Sequence, residues 1–186
     1  MSAFTIRHAT IADARVIAEI HYAGWQIAYA HIISAEDMAS RLPARRIGFW
    51  RQRIADAGDL VLIAEDATGG AQGFMHGGRV LEHDIRKGSL AGHDCEIYSL
   101  HCRQAVHGRG LGRLLMAETA RAFRARGHHA LTLWAFRDNP YRTFYERTGG
   151  TLIAEGFDGD IPDVAYGWPL STLMKTGAEA RTVEKA

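Results

Sequence analysis

The chain has 186 residues, of which 47% are apolar, and a formal net charge of +1. This length is typical of one domain with a sizeable core, and the interspersed charges exclude the basic face of a nucleic-acid-binding protein. No run of about 18 apolar residues occurs and the first residues lack the apolar core of a signal peptide, so we expect a cytoplasmic protein without membrane contact.

The first half of the chain alternates between strand and helix patterns. Helix-start signals occur twice, at Thr10 with Asp13 three residues later and at Ser34 with Asp37. A Gly69-Gly70 turn separates two strand-like runs and predicts a hairpin. The predicted elements are a strand at 5–8, a helix from 10 to 29, a helix at 43–57, and strands at 60–65 and 71–80.

The second half continues the α/β alternation and ends in two strands. We expect one domain over residues 1–174 and a disordered tail over 175–186, because the tail has few large apolar residues. The predicted elements are a polar loop at 81–94, a strand at 95–102, a helix at 110–126, a strand at 130–136, a helix at 140–147, and strands at 151–155 and 164–169.

The two cysteines and ten histidines do not indicate a metal site. Cys95 and Cys102 lie in one predicted strand at an odd spacing, so simple alternation points them to opposite faces and excludes a disulfide between them. No closely spaced pair of ligands at zinc-site spacing recurs. We therefore expect reduced thiols and no metal.

A glycine-rich turn, His107-Gly-Arg-Gly-Leu-Gly112, lies between a predicted strand and a predicted helix. Glycines let the backbone approach a ligand, and a helix start directs unpaired N–H groups and a positive dipole end toward it. A P-loop is excluded because Arg113 and Leu114 follow Gly112, and a dinucleotide fingerprint lacks its third glycine. The turn predicts a pyrophosphate site.

Two ordered motifs resemble those of the GCN5-related N-acetyltransferase (GNAT) family. The first, from Glu96 to Met116, matches the acyl-coenzyme A signature at Gly110 and Gly112, with His107 where Gln or Arg is usual. The second begins at Asn139-Pro and continues through Phe-Tyr-Glu to a glycine pair. The resemblance implies an α/β GNAT fold, a mixed central sheet of about seven strands flanked by helices. It also implies acetyl-coenzyme A (acetyl-CoA) as the acetyl donor.

The resemblance further implies which residues bind this cofactor. In the family the two central strands splay apart, so backbone groups near Leu100, His101 and Cys102 would pair with the pantetheine arm as a short extra strand. The other implied cofactor contacts are His107, Gly108, Arg109, Gly110, Leu111, Gly112, Arg113 and Asn139.

Two catalytic roles are carried over from the family. Glu96 is implied as the general base, because the attacking amine must be neutral, and Tyr145 as the acid that protonates the departing thiolate. Three alternatives remain open: Glu96 as a solvated strand-end carboxylate, Tyr145 as a core residue, and Tyr141, one helical turn earlier, as the acid. Alternation predicts that Glu96, Tyr98 and Leu100 share one strand face.

The acceptor is expected to be a primary amine of a small molecule, an amino acid or a peptide. Aromatic residues without a marked acidic cluster argue against polycationic acceptors, and we expect a monomer or homodimer. The alternative function is a non-catalytic acyl-CoA sensor. In the family the first helix walls the acceptor site, although the same residues are also consistent with core packing. The predicted acceptor-site residues are His21, Trp25, Tyr29, Tyr98 and Trp134.

Overall fold

The structure is a computed structural model that describes residues 3–175. The disordered tail expected at 175–186 lies outside the described residues, except for Lys175, which ends a helical segment over residues 170–175. Within the described part of the chain, no helix is long and apolar enough to cross a membrane.

Residues 3–175 contain eight strands and five helices besides the segment at 170–175, with two additional 3₁₀ turns at Ile11–Asp13 and Gln104–Val106. The strands are β1 (Phe4–His8), β2 (Leu60–Asp66), β3 (Ala71–Gly78), β4 (Asp84–Gly88), β5 (Cys95–Cys102), β6 (Ala130–Phe136), β7 (Thr151–Asp158) and β8 (Ile161–Pro169). The helices are α1 (Ala14–Tyr29), α2 (Ala35–Ser40), α3 (Pro43–Ala55), α4 (Leu111–Ala125) and α5 (Arg142–Arg147).

All eight strands form one mixed sheet in the order β1-β2-β3-β5-β6-β8-β7-β4. The α/β class with a mixed central sheet is therefore confirmed. The extra strand is β4, which was expected to be part of a polar loop but pairs with β7 at the edge. All five of its residues are exposed, so it lacks the alternation of apolar and polar residues that marks a half-buried strand.

Helices cover both faces of the sheet. We call the face under α1 and α3 the front face and the face under α4 and α5 the back face. Leu111, Leu114 and Leu115 recur at helical spacing and bury one side of α4 in the back core. The front core is separate and consists of Ala14, Ile17, Ala18, Ile20, Trp50, Val61, Ile63 and Phe74.

The two parallel central strands are joined along a short segment only. Residues Cys95–Ile97 of β5 pair with residues Leu131–Leu133 of β6. Beyond these pairs the two strands part, although β5 continues to Cys102 and β6 to Phe136. The splay expected from the family resemblance is therefore present. We call this gap the cleft, its closed end at Ile97 and Leu133 the floor, and its open end at Cys102 the mouth.

A β-bulge in β5 changes which side chains share a face. His76 pairs with Ser99 and Gly77 with Ile97, so Tyr98 is an extra residue in β5. Gly77 permits this arrangement, since a Cβ there would lie 2.4 Å from the carbonyl oxygen of Glu96. The expectation that Leu100 shares a face with Glu96 is wrong, because Leu100 packs against the back core.

Because of the same bulge, the expectation that the two cysteines point to opposite faces of the sheet is wrong. Cys95 is part of the back core and Cys102 packs against that core, so the two do not face opposite sides of the sheet. Both are free thiols. Burial raises the pKa of Cys95 and raises that of Cys102 to about 12, so both remain protonated at neutral pH.

Residues 79–94, which we call the crossing segment, leave the end of β3, form β4 at the far edge of the sheet and return to β5. The N–H of Leu81 and the ring of His83 both bond to Glu96 in β5. The N–H of Ser89 donates to Ile153 in β7 and that of Asp94 donates to Ala130 in β6. The crossing segment thus contacts strands on both sides of the cleft.

Candidate active site

The glycine-rich turn lies at the mouth of the cleft. Gly110 has a φ of 82°, in the left-handed region that favours glycine, and α4 begins at the next residue. Within residues 3–175, no hydrogen-bond partner is found for the N–H groups of Gly108 and residues 110–113. These five donors, at the positive end of a 15-residue helix, form a site suited to a pyrophosphate.

The side chain of His107, the first residue of the glycine-rich turn, contacts the end of β5. Its Nε2 donates to the carbonyl oxygen of Cys102 at 3.1 Å, and its ring packs edge-on against Tyr141 with 5.5 Å between centroids. His107 therefore fastens the turn to the end of β5. The guanidinium of Arg109 lies over the ring of Phe4, 5.3 Å from its centroid.

The cleft edge of β5 carries the residues expected to meet the pantetheine arm. Leu100, His101 and Cys102 pair with β3 on one side, and no pairing with β6 extends that far. The side chain of His101 points to the front face, where it packs edge-on against His21. Burial lowers the pKa of His101 to about 4, so this ring is neutral at physiological pH.

Tyr145 lies on α5 and is part of the back core. Its ring packs against Phe144, Tyr166 and Trp168, with centroids 5.5, 5.6 and 6.2 Å away, and only 8% of the residue is exposed. Burial raises the pKa of its hydroxyl, and the nearby Cys102 contributes to the shift. No hydrogen-bond partner for this hydroxyl is found among the described residues.

Asn139 connects the turn before α5 to the first helix. Its Nδ2 donates to the hydroxyl of Tyr29 at 2.9 Å, and its Oδ1 accepts the N–H of Tyr141 at 2.8 Å. The side chain of Asn139 thus orients Tyr29 on the front face and Tyr141 next to α5. Its contact with the cofactor stays a prediction.

Glu96 is buried rather than solvated, so the solvated-carboxylate alternative is wrong. It is 2% exposed, and its Oε2 accepts the N–H of Leu81 at 3.0 Å. His83 Nε2 lies 3.0 and 2.9 Å from the two carboxylate oxygens, and its ring stacks on Trp134 at 4.8 Å. Trp134 is the first β6 residue beyond the pairing with β5, so this group lies at the floor of the cleft.

His83 was missed from the sequence because it is remote from both family motifs. It occurs in a segment that was expected to be an unstructured polar loop. Only the path of the crossing segment brings it to Glu96. An imidazole whose Nε2 donates to a carboxylate leaves Nδ1 free as an acceptor.

Asp163 is a second buried carboxylate on the front face, and it was also missed. It lies on β8 opposite Phe136, is 7% exposed, and accepts a hydrogen bond from the N–H of Val164. Burial raises its pKa to about 7; the hydrogen bond from Val164 and the charge of His83 lower the pKa, whereas the charges of Asp158 and Glu96 raise it. The only sign of this buried carboxylate in the sequence was an aspartate directly before the apolar run that begins at Val164.

The residues predicted to line the acceptor site lie on the front face. The ring of Trp25 is stacked under the guanidinium of Arg41 at 3.7 Å, and Tyr29 packs 5.1 Å from Phe136. Trp25 and Tyr29 are half-buried and belong to neither core cluster, and their contact with an acceptor stays a prediction. The other three predicted residues are His21, which is buried, and Tyr98 and Trp134, which are half-buried.

One group of potential metal ligands occurs in the described residues: Asp94, Cys95 and His128. The Asp94 carboxylate accepts the N–H groups of His129 and Ala130, and the Cys95 thiol donates to the carbonyl of Ala130. These hydrogen bonds hold the starts of β5 and β6 together.

A parallel strand pair parts at this place and is followed by a turn with five unpaired N–H groups and a helix, which is the arrangement expected from the family resemblance. A family model described as FR47-like protein matches residues 73–157, which include both sides of the cleft. The uncharacterized N-acetyltransferase YuaI of Bacillus subtilis is 26% identical over 176 residues, covering 92% of this chain and 96% of the relative.

Solved structures show the same fold. PaiA N-acetyltransferase of Thermoplasma acidophilum, in complex with coenzyme A, superposes with a TM-score of 0.67 at 19% identity, covering 89% of this chain and 99% of that chain. YncA of Salmonella typhimurium, solved with its cofactor acetyl-CoA, gives 0.62 at 23% identity, covering 90% and 94%. The chain thus has the fold of these N-acetyltransferases, two of which were solved with coenzyme A or acetyl-CoA.

Proposed function

We propose that this protein transfers the acetyl group of acetyl-CoA to a primary amine of a small molecule, an amino acid or a peptide. The observation that carries the proposal is the buried Glu96–His83 pair at the floor of a cleft whose mouth carries a turn with five unpaired N–H groups. A sensor without catalysis has no use for such a proton-transferring pair or for a protonated tyrosine beside the cleft.

The free N–H groups of residues 108–113 would hold the pyrophosphate, and the exposed edge of β5 would pair with the pantetheine arm. Bound in this way, the cofactor supplies a thioester to the acceptor amine. Its acyl end would then lie toward the floor, near Tyr98 and Trp134.

Glu96 acts as the base through His83. An amine reaches the site as an ammonium ion and must lose a proton before it attacks. The side chain of His83 is 20% exposed, whereas that of Glu96 is 3% exposed, so His83 is the more accessible of the two. Its free Nδ1 accepts the proton, and the Glu96 carboxylate stabilises the resulting imidazolium, as in other carboxylate–histidine pairs.

Tyr145 acts as the acid. As the amine nitrogen bonds to the acetyl carbon, the carbon–sulfur bond breaks and the thiolate takes the phenolic proton. The nitrogen then loses its second proton on becoming a neutral amide, and a proton from solvent restores the phenol of Tyr145. Its raised pKa keeps Tyr145 protonated throughout the physiological range. Tyr141, the rival, is 38% exposed and packs on His107 at the mouth, so we assign the role to Tyr145.

The test is thiol release from acetyl-CoA across a panel of small amines, amino acids and peptides, with acetyl-CoA binding measured in parallel. We expect Tyr145→Phe to keep the Kd for acetyl-CoA and to lower kcat by roughly 100-fold or more, the usual range for a lost general acid. Tyr141→Phe removes the same hydroxyl at the mouth and should leave kcat near wild type. An unchanged kcat in Tyr145→Phe would remove Tyr145 from the mechanism.

Glu96→Gln tests the base. It keeps the shape of the side chain but not its charge, so kcat should fall by roughly 100-fold while acetyl-CoA affinity is retained. Wild-type binding of acetyl-CoA without turnover on any amine of the panel would favour the sensor alternative.

A further inference from the structure

The front face carries a buried carboxylate that the proposed acetyl transfer does not use. Asp163 on β8 is 7% exposed, and no cationic side chain bonds to it among the described residues. A buried charge without an opposite charge is costly, so such groups are concentrated at functional sites. Asp163 is therefore a candidate for binding a positively charged group of a ligand.

One oxygen of this carboxylate is open to a ligand. The other oxygen, Oδ1, accepts the N–H of Val164 at 2.9 Å. No hydrogen bond to Oδ2 is found within residues 3–175, and Oδ2 is not among the unpaired side-chain atoms that are sealed from solvent. An ionised carboxylate can only accept hydrogen bonds. The partner that Oδ2 lacks is therefore a donor, and a charged donor gives the stronger bond.

The side chains around Asp163 suit a cation. Asp163 pairs with Phe136 across β8 and β6, so the carboxylate and this ring share the front face. The rings of Tyr29 and Trp25 lie 5.1 and 6.0 Å from that of Phe136. Aromatic faces attract cations, and Arg41 already lies over the outer ring, that of Trp25, without a bond to Asp163.

Asp163 is set apart from the place where the amine attacks. In the proposed reaction the amine lies at the cleft beside His83, whereas β6 separates β8 from the cleft. Asp163 is the diagonal neighbour of Trp134, on which His83 stacks, and this diagonal spans roughly 7–8 Å. A cation on Asp163 is therefore a second charge, distinct from the amine that is acetylated.

We propose that Asp163 binds a second cationic group of the acceptor, so that the acceptor is a small molecule with two such groups, as a diamine is. The inference rests on the proposed acetyl transfer and narrows its acceptor class. One amine loses its proton to His83 and is acetylated, while the other stays an ammonium ion on Oδ2 of Asp163. The sequence argued against polycationic acceptors because it shows no acidic cluster, and a single buried carboxylate recognises one additional charge.

Matched acceptors test the proposal. A linear five-carbon diamine is compared with hexylamine, which has the same reacting amine and a methyl group in place of the second ammonium. The measurements are kcat/KM with acetyl-CoA and calorimetric Kd in the presence of coenzyme A, at about pH 8, where Asp163 is largely ionised. We expect wild type to prefer the diamine by roughly 10- to 100-fold, the range for hydrogen bonds to a charged group.

Asp163→Asn keeps the shape of the side chain and removes its charge, so this variant should lose the preference for the diamine. Asp160→Asn makes the same chemical change at an exposed position of the β7–β8 hairpin and should keep the preference. Equal kcat/KM and Kd for the two amines in wild type, or a preference that survives Asp163→Asn, would overturn the proposal.

Two further results would also overturn it. Equal losses for both amines in Asp163→Asn would mean that Asp163 binds the reacting amine itself. A five-carbon amino alcohol that binds as tightly as the diamine would mean that the site takes a neutral donor. No turnover on any amine, combined with diamine binding that depends on Asp163, would contradict acetyl transfer and support the cation site alone.

Discussion

Replacing Asp163 by Asn should remove a pH dependence from the stability of the protein. Asp163 is buried and no cationic side chain bonds to it among the described residues, so its ionisation opposes folding. Between pH 4 and pH 7 the folded protein holds a proton on this carboxyl group that the unfolded chain has released. Raising the pH through this range therefore favours unfolding.

The difference between the folded pKa of about 7 and the ordinary value of 3.8 corresponds to about 4 kcal/mol when Asp163 is fully ionised. Between pH 5 and pH 8, the range that is practical to measure, wild type should lose about 3 kcal/mol relative to Asp163→Asn. A change of this size is a large part of the stability of a typical domain.

The measurement is the free energy of unfolding from urea denaturation at several pH values for both proteins. Asp160→Asn is the control, since it makes the same chemical change at an exposed position of the neighbouring hairpin. The free energy of unfolding of Asp160→Asn, plotted against pH, should run parallel to that of wild type. Parallel curves for wild type and Asp163→Asn would refute the argument, because Asp163 would then titrate alike in the folded and unfolded states.

Gly110→Val should abolish acetyl-CoA binding in a calorimetric titration. Gly69→Val, which imposes a similar backbone strain at φ +82° in the β2–β3 turn, should bind normally, and normal affinity in both variants would contradict a pyrophosphate site at the glycine-rich turn. Phe123→Ala in the back core should cost about 3–5 kcal/mol in urea unfolding, and a loss below 1 kcal/mol would show that the core is loosely packed there. Cys95 and Cys102 should resist an aromatic disulfide reagent at pH 7.5 until the protein is unfolded, and rapid labelling of both would contradict their raised pKa values.

Much of the fold follows from local sequence signals. The hairpin of β2 and β3 and the glycine turn before α4 were predicted within a few residues, because turn chemistry and apolar periodicity both depend on neighbours along the chain. The parting of β5 and β6 followed from the family resemblance.

What was missed depends on contacts between distant segments. The bulge at Tyr98 reverses the side-chain alternation in β5, and only the register against β3 reveals it. His83 and Asp163 reach the front face through the crossing segment and through β8, whose positions depend on strand order. Periodicity in a single sequence carries no information about strand order.

The short pairing between β5 and β6 also bears on how the protein folds. Three residue pairs join β5 to β6, so the strands on either side of the cleft resemble two small sheets. The chain path prevents them from folding independently, because β4 precedes β5 in sequence yet pairs with β7, which is formed more than 60 residues later. The part that contains β4 cannot complete its pairing until nearly the whole chain is present, and such distant pairings slow folding. We therefore expect a single cooperative unfolding transition, and expect fragments that end before β7 to fail to fold.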